Sequence, residues 1–212
     1  MCCRVPTAAD AYLSRGFRRA LRNIAGVPHI QPDEESDFLV RRYFAFVDLC
    51  GFTSLTDEDG VEHAVVALST FRAVVRERAG WRGVRVAKWL GDGVMLVATE
   101  PRPLVDAVLR MEHALDQRGC ALPIHGGIAA GRVILFEGDD YVGRAVNLAA
   151  RLCDVADPHQ ILITASLYDA AGEGLAGKRL GPLAVTGFTR PVEAVDLTAA
   201  RWAHETPAPD VA

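Results

Sequence analysis

The sequence predicts an α+β fold of the ferredoxin-like βαββαβ type, with further strands towards its C-terminal end. Its 212 residues, of which 50% are hydrophobic, are enough to bury one globular core. Between residues 41 and 197, stretches with the two-residue period of strands alternate with stretches that have the 3.6-residue period of helices. Long helices between strands in a chain of this size predict a two-layer sheet with its helices on one face.

The predicted elements follow one another in a simple order, without an internal repeat. Strand patterns lie near residues 41–48, 83–89, 93–98, 124–130, 132–136, 160–163, 180–185 and 192–197. Helical patterns cover residues 61–75, 104–115, 142–155 and 165–171.

The two ends of the chain differ from this domain. Residues 8–25 predict an amphipathic basic helix, with an apolar stripe formed by Leu13, Phe17, Leu21 and Ile24. Such a helix packs on its own domain or on a dimer mate, or else contacts a membrane surface or a regulatory partner. The polar, acidic stretch that follows is typical of a linker, and the proline-containing C-terminus of a disordered tail. We therefore divide the chain into an N-terminal region, a globular domain and a tail, at residues 1–38, 39–197 and 198–212.

Composition narrows the class of protein. No stretch has the roughly 18 consecutive apolar residues of a membrane span, and no signal peptide is evident, so we expect a soluble, cytoplasmic protein. The formal net charge of -4 lacks the basic excess with which proteins bind nucleic acid. The five cysteines have neither disulfide nor zinc-ligand spacing, which is typical of free thiols in a reducing compartment. Among them, Cys50 is either a small apolar filler or a redox-sensitive thiol.

Two short patches combine a strand end, a glycine and a carboxylate. The first is Asp48-Leu-Cys-Gly-Phe-Thr53 and the second is Lys88-Trp-Leu-Gly-Asp92. Carboxylate oxygens are the ligands that Mg²⁺ and Mn²⁺ prefer, and glycine permits the tight turns that bring two of them together. One aspartate at a strand end usually caps a turn. The two patches together predict a divalent metal site at Asp48 and Asp92.

Three further polar positions lie beyond these patches, namely Asp140, Asn147 and Arg151. Because Asn147 and Arg151 are four residues apart, a helix places both side chains on one face. The same helix can pack against the sheet through Val146, Ala149, Ala150 and Cys153. By itself such an arginine is usually an ordinary surface residue, so only its combination with the carboxylate patches indicates a site.

Taken together, these positions resemble the catalytic domain of the class III nucleotidyl cyclases, which make cyclic AMP or cyclic GMP. The resemblance runs from about residue 41 to about residue 197. It implies that Asp48 and Asp92 hold two metal ions, Mg²⁺ or Mn²⁺, and that the main-chain carbonyl near Leu49 completes the ligand set. These ions would activate the ribose 3′-hydroxyl and clamp the phosphates and the leaving group.

The resemblance also implies roles towards the nucleotide. Lys88 and Asp140 would read the base, while Asn147 and Arg151 would orient the ribose and stabilise the transition state. Adenine presents an acceptor at N1 and a donor at N6, which match an ammonium and a carboxylate, whereas guanine presents the reverse. We therefore predict an adenylate cyclase that converts ATP to 3′,5′-cyclic AMP and pyrophosphate.

In the family these groups come from two chains. Because this chain has all of them, the resemblance implies a head-to-tail homodimer with two shared sites. The chain departs from the family at Val185-Thr-Gly-Phe188, where a lysine usually reaches the outer phosphates. Either Arg190 replaces that lysine or ATP binds weakly. The alternatives to an adenylate cyclase are a catalytically weak or inactive nucleotide-binding regulatory dimer and a guanylate cyclase.

Three other features carry no chemistry in this interpretation. The stretch from Gly172 to Lys178 has the outline of a phosphate-binding loop, but Arg179 stands where such loops have a serine or threonine. His125 and His159 have no partner pattern, so we expect them to be structural or exposed.

Overall fold

A computed structural model describes residues 39–80, 83–136 and 140–198, without the side chain of Phe136. The predicted N-terminal helix and acidic linker lie outside these residues, as does nearly all of the predicted tail. The strands are β1 (Leu39–Leu49), β2 (Val84–Leu90), β3 (Gly93–Ala98), β4 (Ile124–Phe136), β5 (Asp140–Val142), β6 (Ile161–Thr164), β7 (Lys178–Leu183) and β8 (Val192–Asp196). The helices are α1 (Phe52–Glu58), α2 (Val61–Ala79), α3 (Pro101–Gln117), α4 (Arg144–Val155) and α5 (Ala165–Ala170). None of these helices has the length and apolar character needed to cross a membrane.

The strands form one sheet in the order β2-β3-β1-β4-β6-β8-β7, with β5 paired to β4. Its first four strands are antiparallel neighbours in the order β2-β3-β1-β4. Helix α2 follows β1 and helix α3 follows β3. This is the predicted ferredoxin-like βαββαβ core, and β6, β7 and β8 extend it as the predicted C-terminal strands.

The prediction that the helices lie on one face is correct for α2 and α3 but wrong for α4. Alternate residues of β1 point to opposite faces of the sheet. Ala45 and Val47 pack in the cluster that α2 and α3 cover. Phe44 and Phe46 pack in a second cluster that α4 covers. The physical reason is that β1 is apolar on both faces, so both faces need a covering layer.

Helix α4 lies directly on β4. A Cβ atom at Gly127 would overlap the main chain of α4 at Ala149 and Cys153, and a Cβ atom at Gly131 would lie 2.9 Å from the Cβ of Ala145. The buried residues of α4 are Ala145, Val146, Ala149, Ala150, Leu152 and Cys153. The predicted packing face of this helix is therefore confirmed, and its polar stripe is left on the other side.

The remaining differences from the predicted elements are local. The two strands predicted at 124–130 and 132–136 are one strand, β4, because Gly131 continues the ladder opposite Arg42 of β1. The short elements β5 and α1 were not predicted. The glycine-rich stretch at 172–177 is a loop, as predicted.

Candidate active site

The two predicted metal ligands come together where β1 meets the turn between β2 and β3. Asp48 lies opposite Gly93, the first residue of β3, in the β1–β3 register. Gly91, with φ of 83°, makes the turn that carries Asp92. The main-chain N–H of Leu49 donates to the main-chain carbonyl of Asp92 at 3.4 Å. The strand end and the turn are thus fixed to each other.

Both carboxyl groups resist ionisation in this setting. Burial, followed by the charges of Asp92 and Asp154, raises the pKa of Asp48 to about 7, although a backbone hydrogen bond from Leu49 lowers it. Burial also raises the pKa of Asp92, against a main-chain hydrogen bond and the nearby His125. Partly buried carboxylates that repel each other are stabilised in their charged form by a cation.

The space around Asp48 fits a divalent cation bound by oxygen atoms. Its Oδ1 atom is buried and has no hydrogen-bond partner within the described part of the chain. A Cβ atom at Gly93 would lie only 2.5 Å from this oxygen, so glycine keeps the space open. An unpaired buried carboxylate oxygen needs a compensating charge or donor. Leu49 has its side chain in the core, which leaves only its main-chain atoms for a metal.

The turn that carries Asp92 is held from α2. Arg72 donates from Nη2 to the main-chain carbonyl of Gly91 at 3.2 Å. The guanidinium carbons of Arg72 and Arg76 lie 5.3 and 5.5 Å from the centre of the Trp89 ring. Trp89 itself belongs to the Lys-x-x-Gly-Asp patch. These arginines were not predicted, since no local spacing relates α2 to the turn.

The two predicted base-reading residues contact each other. Lys88 donates from Nζ to Oδ1 of Asp140 at 2.7 Å, and the two side chains are 42% and 24% exposed. A bulge in β2 between Val86 and Lys88 shifts the register there and redirects the strand. Beside this pair, Arg85 donates to the hydroxyl of Tyr141 at 2.6 Å. Two polar contacts therefore join β2 to β5. The first of them places a donor, the Lys88 ammonium, beside an acceptor, the Asp140 carboxylate.

The polar stripe of α4 carries the other two predicted residues. Asn147 is exposed. Arg151 is 24% exposed and donates from Nη1 to Oδ2 of Asp154 at 2.7 Å, while the Asp154 side chain is only 7% exposed. Asp154 was not predicted. Its signal was present in the sequence, because a residue three positions after Arg151 lies on the same helical face.

Asp154 also lies near Asp48, a predicted metal ligand of the same chain. It lines a small cavity together with Asp48, Gly93, His125 and Cys153. His125 lies opposite Asp48 in the β1–β4 register, and its Nδ1 is 3.0 Å from the main-chain carbonyl of Ala156. The ring of His125 therefore has a main-chain partner and also forms part of the cavity wall.

Two other groups lie outside this site. Burial raises the pKa of the Cys50 thiol to about 12, with smaller contributions from Asp48 and Glu112, so the reactive thiolate is rare and Cys50 fits the role of filler.

Glu112, Asp116 and His159 bring metal-ligand atoms within 4.8 Å of one another. His159 Nδ1 is 2.7 Å from Oε1 of the buried Glu112, so this histidine has an acidic partner that the sequence pattern did not predict.

The chain is similar in sequence to proteins of Mycobacterium tuberculosis. No family model matches the chain. An uncharacterized protein of Mycobacterium tuberculosis (strain ATCC 25618 / H37Rv) is 38% identical over 152 residues, which are 72% of this chain and 40% of the relative. The pH-sensitive adenylate cyclase of Mycobacterium tuberculosis (strain CDC 1551 / Oshkosh) is 33% identical over 129 residues, 61% of this chain and 32% of that protein. The chain thus spans two fifths or less of the length of these relatives.

Solved structures match the domain more completely. The adenylyl cyclase CyaB from P. aeruginosa is 28% identical with a TM-score of 0.66, and the match covers 74% of this chain and 93% of that one. The guanylyl cyclase Cya2 is 22% identical with a TM-score of 0.65, over 75% and 92% of the two chains. The match to Cya2 shows only that the two proteins share a fold.

Proposed function

Because the chain belongs to the class III nucleotidyl cyclase family, we propose that it is an adenylate cyclase, which converts ATP to 3′,5′-cyclic AMP and pyrophosphate. The observation that carries this proposal is the contact between Lys88 and Asp140 at 2.7 Å. It supports a site that offers one ammonium donor and one carboxylate acceptor to the edge of a base.

That polarity matches adenine. The ammonium of Lys88 donates to the N1 acceptor, and the carboxylate of Asp140 accepts from the N6 amino group. Guanine would present a donor to the ammonium and an acceptor to the carboxylate. A correct two-point match of this kind is worth about 1–3 kcal/mol over the wrong base. The two side chains contact each other, so adenine would replace one contact by two.

The catalytic groups divide between the metal side and α4. Asp48, Asp92 and the main-chain carbonyl of Leu49 would hold Mg²⁺ or Mn²⁺, which when bound lowers the pKa of the ribose 3′-hydroxyl and neutralises phosphate charge. The exposed amide of Asn147 orients the ribose. The guanidinium of Arg151 donates to the α-phosphoryl oxygens as their negative charge grows, which is worth roughly 10²–10³ in rate for one preorganised donor.

We place these groups at the interface of a head-to-tail homodimer, where the metal carboxylates of one chain face the base-reading and α4 residues of its partner. The hairpin of β4 and β5 supports this arrangement, since it carries Asp140 and exposes two large apolar side chains. Ile134 is 42% exposed and Leu135 is 41% exposed. A pair of exposed apolar residues beside a polar site residue is typical of an interface.

A direct assay of the product tests the activity. The purified protein is incubated with ATP or GTP in the presence of Mg²⁺ or Mn²⁺, and cyclic and linear nucleotides are separated and quantified. We expect cyclic AMP from ATP, and at least about a 100-fold loss in Asp92→Ala, because one lost transition-state interaction is worth that much. Asp169→Asn, a change at an exposed ion pair with Arg179, is the matched control and should keep its activity. Cyclic GMP as the main product would contradict the substrate assignment.

Complementation between inactive variants tests the shared site. Asp48→Ala and Arg151→Ala homodimers should each be nearly inactive, because both of their sites are damaged. A mixed dimer has one site with both lesions and one intact site. With free exchange of chains half of the dimers are mixed, so about a quarter of wild-type activity should return. No recovery, with exchange shown by a tagged chain, would mean that each site is built within one chain.

A second candidate is a nucleotide-binding dimer with little turnover. It is favoured by Thr186, which stands where the family usually has its phosphate-binding lysine. Saturable binding of ATP without cyclic product, under conditions in which Mn²⁺ is bound, would support this candidate over the cyclase.

A further inference from the structure

Asn147, Arg151 and Asp154 form a single polar stripe on α4. Their spacings of four and three residues place the three side chains above one another on one helical face. With a rise of about 1.5 Å per residue, Asp154 lies about one turn beyond Arg151, on the side away from Asn147. Three side chains therefore follow one another along the helix. They are Asn147, assigned to the ribose, Arg151, assigned to the phosphate, and the acid Asp154.

The contact between Arg151 and Asp154 is more shielded than comparable pairs on the surface. Its side chains are 24% and 7% exposed, against 36% and 24% for Arg102 and Asp106. The pair of Arg179 and Asp169 is more exposed still, at 57% and 59%. A charge-assisted hydrogen bond gains strength as water is excluded, so the bond at 2.7 Å restrains Arg151 more firmly than the surface pairs restrain theirs.

We propose that Asp154 is the positioning residue of the cyclisation, which holds the Arg151 guanidinium where negative charge grows on the α-phosphoryl oxygens. An unrestrained arginine loses side-chain entropy when it is ordered. The bond to Asp154 orders one nitrogen of the guanidinium in advance, so less order has to be imposed on the side chain in the transition state. This inference rests on the proposed function, in which Arg151 stabilises the transition state.

Asp154 has a second neighbour through which it could act. It lines the cavity beside Asp48, and its charge disfavours ionisation of that carboxyl group. In the proposed dimer, Asp48 and Arg151 of one chain serve different sites. The two routes can therefore be separated by choosing the chain that carries the Asp154 substitution.

The first test is the kinetics of the homodimer. Asp154→Asn should lower kcat by about 10–100-fold, the usual effect of losing an orienting partner. KM for ATP should change less than about threefold, because the bond matters mainly as charge develops. Asp154→Glu, which keeps the carboxylate, should recover part of the loss. Asp169→Asn serves as the control for removing an arginine partner elsewhere, and the thermal melting curve of each variant checks that it is folded. An unchanged kcat in folded Asp154→Asn would overturn the proposal.

The second test uses mixed dimers of Asp48→Ala and Arg151→Ala chains. The working site takes its arginine from the Asp48→Ala chain and its metal carboxylates from the Arg151→Ala chain. Asp154→Asn added to the Asp48→Ala chain should remove about 10–100-fold of the recovered activity. The same change added to the Arg151→Ala chain should cost several-fold less. The opposite order would show that Asp154 acts on the metal carboxylates and would refute the positioning role.

A wild-type protein that makes no cyclic nucleotide would refute both the proposed function and the role of Asp154. An active wild-type enzyme whose mixed dimers recover no activity would refute only the shared site, and the homodimer kinetics would still decide the role of Asp154.

Discussion

At the scale of single residues, the environment of Asp48 disfavours the charged form of its carboxyl group. Its carboxyl group combines burial, a neighbouring carboxylate and an oxygen without a hydrogen-bond partner in the described structure. An aspartate in an unfolded chain ionises near pH 4, whereas the pKa of Asp48 in the folded chain is about 7. Between these values the folded state binds more protons than the unfolded state, so stability falls as pH rises, and the whole cost is present above pH 7.

Asp48→Asn should therefore stabilise the metal-free protein at high pH. In EDTA at pH 8 we expect a melting temperature several degrees above wild type. The gain is at most about 4 kcal/mol, at about 1.4 kcal/mol per pKa unit. At pH 5 the gain should be less than half as large, because Asp48 of the folded wild type is then largely protonated. Saturating Mg²⁺ should raise the melting temperature of wild type more than that of the variant. A variant that melts at or below the wild-type temperature at pH 8 would contradict this account.

In the proposed enzyme Lys88 and Asp140 select the base, and replacing both residues tests that assignment. The double variant Lys88→Glu with Asp140→Cys should lower the ratio of ATP to GTP turnover by about 5–150-fold, since the two-point match is worth about 1–3 kcal/mol. The change Lys178→Glu, at the exposed start of β7, makes the same charge reversal far from the pair and should leave the ratio unchanged. If the double variant kept the wild-type ratio, the base would be read elsewhere.

At the scale of elements, the position of α4 on β4 places the stripe of Asn147 and Arg151. The contact depends on Gly127, where a Cβ atom would overlap the main chain of the helix. Main-chain atoms cannot move aside as a flexible side chain can, so any larger residue must lift α4 from the sheet.

Gly127→Ala should consequently lower both stability and turnover. We expect a loss of about 1–3 kcal/mol in the free energy of unfolding, typical of overpacking, measured by urea denaturation. Cyclase activity should fall at temperatures where the variant is still folded, because Arg151 moves with the helix. Gly80→Ala is the matched control, since its Cβ would meet only the carbonyl of Arg76 at 3.5 Å. Wild-type stability and activity in Gly127→Ala would show that α4 is not seated through this glycine.

At the scale of the whole molecule, the proposed enzyme works only as a pair of chains. In the proposed dimer each chain would contribute one metal half-site and one α4 half-site, and a monomer would complete neither.

Dilution should therefore reduce the activity per chain. We expect specific activity to fall as the protein concentration passes below the dimer dissociation constant, and to recover on concentration. Sedimentation velocity on the same samples gives the fraction of dimer for comparison. Constant specific activity in samples that sediment as monomers would rule out the shared site.

Much of this protein could be predicted from its sequence. The alternation of two-residue and 3.6-residue periods predicted the α+β fold and its ferredoxin-like core, because these periods depend on near neighbours along the chain. The approach of Asp48 to Asp92 followed from two strand ends with glycine turns. The shared face of Asn147 and Arg151 followed from helical geometry alone. The first and the last of these inferences needed no knowledge of how distant segments pack, whereas the approach of Asp48 to Asp92 rested also on the resemblance to a known family.

Only the tertiary structure decided the rest. The side of the sheet that α4 covers depends on which strand faces must be buried once all strands are paired. The contact of Lys88 with Asp140 joins residues from β2 and β5. The approach of Asp154 to Asp48 depends on α4 lying against β1 and β4. Such contacts arise from close packing between segments that are remote in sequence, and local periodicity carries no information about them.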